Sequence, residues 1–74
     1  MPDNVASLQR QLENARENLK LIEERMAEYV LSTDVPLMLV REKRLLEERI
    51  AGLEIKIRDK LAQLRALDEQ ARDD

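Results

Sequence analysis

Carboxylates are the most plentiful reactive groups in this chain, and two pairs of glutamates stand four residues apart: Glu13 with Glu17, and Glu24 with Glu28. On a helix that spacing puts both members of a pair on one face, as a divalent cation or an acid/base couple would require. The other residues such chemistry needs are missing. The sequence holds no histidine and no cysteine, which excludes Ser-His and Cys-His nucleophiles, the Glu-x-x-His pattern of di-iron bundles, and zinc sites of the usual kind. A single glycine cannot make a Gly-rich phosphate loop. The carboxylate pairs therefore read as solvated helix faces. No metal, cofactor or small-molecule ligand is expected, and the chain reads as non-enzymatic.

Basic residues offer the second possible chemistry. Arg41, Lys43 and Arg44 sit together in the run "REKR" and could touch phosphates. Glu42 interrupts them, Glu47 and Glu48 follow, and the sole aromatic residue, Tyr29, gives no platform for base stacking. The 16 acidic and 13 basic residues are mixed along the chain for a net charge of −3, which favours solubility without drawing the protein to nucleic acid or anionic membrane. A small regulatory RNA-binding helical hairpin dimer is kept as the alternative function, although nucleic acid is not the expected partner. The N-terminal stretch "MPDNVASLQRQLENAR" lacks the apolar core of a secretory signal. No apolar run approaches the roughly 20 residues of a membrane span, so a cytoplasmic location is expected, with no membrane partner.

Elements that would position these residues are helices, because Ala, Glu, Lys, Leu and Arg dominate the composition and glycine and aromatics are nearly absent. From Val5, apolar positions recur three and four apart through Leu8, Leu12, Ala15, Leu19, Ile22, Met26 and Tyr29, the stripe of a coiled-coil seam. Asp3 or Asn4 can cap its start. A second stripe runs through Leu39, Leu46, Ile50, Leu53, Ile57, Leu61 and Leu64, flanked by Leu67 and Ala71. Here Leu46 to Leu53 recurs eleven residues later as Ile57 to Leu64, a period that needs no left-handed supercoil. The expected fold is all-α, an antiparallel two-helix hairpin: a helix over about 4–31, a corner at about 32–35, a second helix over about 36–70, and a frayed tail at 71–74. Within the corner, Pro36 suits a helix start, where its missing N–H costs nothing.

A hairpin of this length has little core of its own, and the remedy with the fewest assumptions is a second copy, giving a four-helix bundle with two-fold symmetry. The expected oligomer interface comprises Leu8, Leu12, Leu19, Ile22 and Met26 from the first helix, with Leu46, Ile50, Leu53, Ile57, Leu61 and Leu64 from the second. Around the corner, Tyr29, Val30, Leu31, Leu37, Met38 and Val40 point in many directions. They either plug the bundle end, covered by the returning chain or a second copy, or form an exposed tip that docks a partner. Behind the second stripe, Ala51, Ile55, Ala62 and Ala66 make a small-residue seam that could admit another helix, though alanine is also simply the best helix former. Gly52 is ambiguous in the same way.

Between Leu12 and Ile57, the run "ENLKLIEER", the corner "EYV" with "TDVPL", and "LLEERIAGLE" resemble a short helical segment of multidomain bacterial signalling and conflict proteins, found beside caspase-like peptidases, TIR domains or STAND-type NTPases. That resemblance implies a non-enzymatic adaptor or oligomerising segment, with an effector or NTPase protein as a possible partner. It brings no catalytic residue to any position of this chain.

Overall fold

The structure, a computed structural model, describes residues 4–73; the side chains of Ser32 and of residues 71–73 lie outside that description. Two antiparallel helices account for nearly all of it, α1 over Val5–Ala27 and α2 over Leu37–Asp73, joined by a corner with one turn of 3-10 helix at Ser32–Asp34. The expected hairpin is therefore present, and its strongest patterns lie where the helices are.

Capping fixes where α1 begins. Asn4 adopts an extended backbone, and its side-chain Oδ1 accepts a 2.7 Å hydrogen bond from the Ser7 N–H, while its carbonyl accepts from the Leu8 N–H. The first of these satisfies one of the four N–H groups that helix geometry would leave unpaired, and the second opens the regular ladder of the helix. Asp3, the other candidate cap, lies outside the described residues. Inside the first turns, Gln11 donates its side-chain amide to Ser7 Oγ at 3.3 Å.

The end of α1 falls at Ala27, four residues before the boundary expected near residue 31. There the N–H groups of Glu28 and Tyr29 turn to the carbonyls of Arg25 and Met26, tightening the last turn into 3-10 geometry. Glu23, Glu24 and Glu28 crowd the negative end of the helix dipole, opposed by Arg25 alone in the last turn, and Val30 beyond is β-branched. The apolar beat continued to Tyr29, but the backbone did not follow it.

After the corner, Pro36 sits immediately before α2 and accepts hydrogen bonds from Leu39 and Val40 at 3.0 and 3.3 Å. Its ring holds the preceding Val35 away from helical geometry, so the boundary is sharp. At its far end α2 runs to Asp73, past the point at about 71 where fraying was expected.

Packing between the helices is concentrated in a small cluster. Leu8, Leu12, Ala15 and Leu53 are buried, and Leu46, Ile50 and Ile57 pack against them while partly exposed. Leu19, Ile22 and Met26 of α1 are likewise half-buried. With 23 residues in α1 and 37 in α2, the helices run about 35 and 55 Å, so α2 overhangs by about 20 Å. The molecule measures 63 × 19 × 16 Å.

Candidate interaction surface

Apolar side chains left uncovered are the most informative feature of this hairpin, and they fall in three places. The first is the corner. Val30 is 95% exposed, Leu37 62% and Met38 71%, with Leu31 and Tyr29 also exposed; only Val35, Leu39 and Val40 are half-buried. Cover by the returning chain, one form of the end plug, is thus not realised. The end of α1 meets the corner only at open hollows, Arg25 beside Met38 and Leu39 and Met26 beside Val30 and Val35.

The second place is the overhang. Leu61, Leu64 and Leu67 become progressively more exposed at 44, 52 and 62%, although they continue the same stripe that buries Leu53. Leu12, Ile57 and Leu61 still line one shallow groove, but toward Leu67 the stripe runs out along bare helix. Ala71 is the next residue on this stripe, and its side chain lies outside the described residues.

Along one side of the shaft lies the third place, an open groove lined by Leu21, Ile22, Arg25, Leu45 and Leu46 among others. Leu21 and Leu45 are mostly exposed. Neither Leu21 nor Leu45 belongs to a stripe or seam read from the sequence. The doublets Leu21–Ile22 and Leu45–Leu46 carried the signal, because adjacent apolar residues in a helix widen the apolar face by about 100°. In an antiparallel hairpin two such widened edges meet on one flank.

The small-residue seam faces solvent: Ala51, Ala62 and Ala66 are exposed and Ile55 is 50% exposed. Gly52 has nothing within 4 Å of where a Cβ would stand and no left-handed backbone, so neither conformation nor packing inside the hairpin requires glycine there. Of the "REKR" group, Arg41 and Arg44 are exposed and Lys43 is half-buried, its stem lining a hollow with Met26, Tyr29 and Val35. Among the described residues, no three acidic residues converge as a metal site would need, and no helix is long and apolar enough to cross a membrane.

No known protein family matches this chain, and no significantly similar curated protein or solved structure is found.

Proposed function

We propose that this protein is a non-enzymatic interaction module that works by associating with a second copy of itself through the apolar stripes of α1 and α2, as a four-helix bundle of two hairpins. The observation that carries this reading is its surface. A folded monomer of 8.7 kDa exposes about 4,700 Å² by the usual scaling with mass, whereas this chain exposes 6363 Å². The surplus of about 1,600 Å² is roughly twice what one partner contributes to a standard stable interface. Much of it is leucine, and uncovered leucine in water is an unfavourable state that association relieves. A role as adaptor or assembly segment in a bacterial signalling or defence system, beside an effector or NTPase protein, is supported by the resemblance of the segment from Leu12 to Ile57 alone.

Light scattering over a concentration series tests the association directly. The expected mass is twice 8.7 kDa; a single mass of 8.7 kDa at every concentration would sink the reading. Replacing Leu61, Leu64 and Leu67 together by Ser should return the chain to monomer. Their exposure means that the hairpin's own core at Leu8, Leu12, Ala15 and Leu53 is left in place.

A further inference from the structure

We infer that the two copies pack antiparallel along one flank of α2, crossing beside Gly52, so that the apolar corner of each chain is covered by the overhang of the other. This rests on the self-association proposed above and adds its orientation and the line of contact, a flank of α2 beside its stripe.

Three observations converge on this arrangement. Met38, Leu45, Gly52 and Leu67 occupy one flank of α2, at about −80°, −100°, −120° and −60° from Leu46 when each residue turns 100°. Its three large apolar side chains are all mostly exposed, Met38 at 71%, Leu45 at 65% and Leu67 at 62%; Met38 and Leu67 stand toward opposite ends of α2, and Gly52 lies midway between them. A second α2 running the opposite way, with the two-fold axis beside Gly52, therefore brings Met38 of each copy to Leu67 of the other. At the crossing point the backbones meet where no Cβ intervenes, which gives Gly52 the role that nothing inside its own chain provides. Arg49 and Lys56 border the crossing, and their apolar stems can line it while their charged heads stay in water.

Length is the second observation. The extra 20 Å or so of α2 reaches alongside the other chain's corner when the hairpins oppose, so each overhang meets a corner; in a parallel pair corner meets corner and overhang meets overhang. Charge is the third. The first turns of α2 hold Arg41, Lys43 and Arg44 against Glu42, whereas residues 61–70 hold Asp68 and Glu69 against Arg65. An antiparallel pair sets the acidic end of one α2 beside the basic end and positive dipole end of the other; a parallel pair sets like beside like. Glu23 and Glu24 of α1 and Glu28 just past its end also stand at the corner, so the acidic end of the other α2 approaches from the α2 side.

Since the chain has no cysteine of its own, a spin label on Gln70→Cys, or in a separate variant on Glu28→Cys, reads the orientation. Both positions are exposed and lie at the ends of the hairpin. Pulsed electron spin resonance should give label separations of about 55 Å for Gln70→Cys and about 40 Å for Glu28→Cys in the antiparallel dimer, from the rise of the helix on either side of Gly52. A dimer by light scattering with labels within about 20 Å, the spacing of adjacent helices plus label arms, overturns the orientation and leaves self-association standing. A monomer by light scattering overturns both. As a second reading, Gly52→Leu should abolish the dimer while helix content is kept, because the added side chain meets open space in its own hairpin; an undisturbed Gly52→Leu dimer removes the crossing at Gly52.

Discussion

Asn4 makes the only side-chain cap described at the start of α1, and a single replacement can measure what it contributes. Asn4→Ala removes the 2.7 Å bond to the Ser7 N–H and should cost about 1 kcal/mol, as such caps do, seen as loss of thermal stability with the associated state unchanged. Leu53, 5% exposed, is the one buried residue of α2 among the described side chains. Leu53→Ala should cost about 2 to 5 kcal/mol, a large share of what so small a core can supply, so thermal melts should show broad or lost cooperativity. Gly52→Ala should move the other way for the isolated hairpin. It relieves a helix of glycine at a gain of up to about 1 kcal/mol, with no clash because nothing stands within 4 Å. If the melting temperature of the hairpin falls instead, glycine serves its own chain.

At the scale of the elements, the corner and the overhang are the parts whose fate depends on what lies outside the chain. Leu37→Ser with Met38→Ser should leave helix content and the hairpin melt nearly unchanged, since both side chains are mostly in water already, and should weaken self-association measured by light scattering. A large fall in stability at concentrations where the chain is monomeric would instead mean that these residues support the hairpin itself. Sequence made both helices legible because three- and four-residue spacing is a property of each helix alone, and Pro36 marks the start of α2 by chemistry that needs no tertiary context. The end of α1 was not legible. Tyr29 keeps the seam's rhythm, yet it sits two residues past the last helical position, in a stretch where acidic residues oppose the dipole and β-branching sets in. Nor did periodicity separate Leu53 from Leu64, buried and 52% exposed respectively, because a stripe records which side chains call for cover and says nothing about what supplies it.

For the molecule as a whole, proportions decide what can be measured. A compact chain of 74 residues would have a radius of gyration of about 11 Å, whereas this one has 17.8 Å, the signature of a rod. Side-by-side association of two such rods raises the mass per unit length while lengthening the particle only slightly, and end-to-end association does the reverse. Small-angle scattering should therefore find a dimer whose maximum dimension stays near the 63 Å of one chain and whose cross-sectional radius has grown. A doubled length would place the contact at the tips alone. The same proportions make the hairpin a spacer as well as a joint: in an antiparallel pair the two chain ends point away from each other, so anything fused to them is held apart by the length of α2, and clustering more than two such cargoes requires a further surface, such as the exposed face of Ala51, Ile55, Ala62 and Ala66.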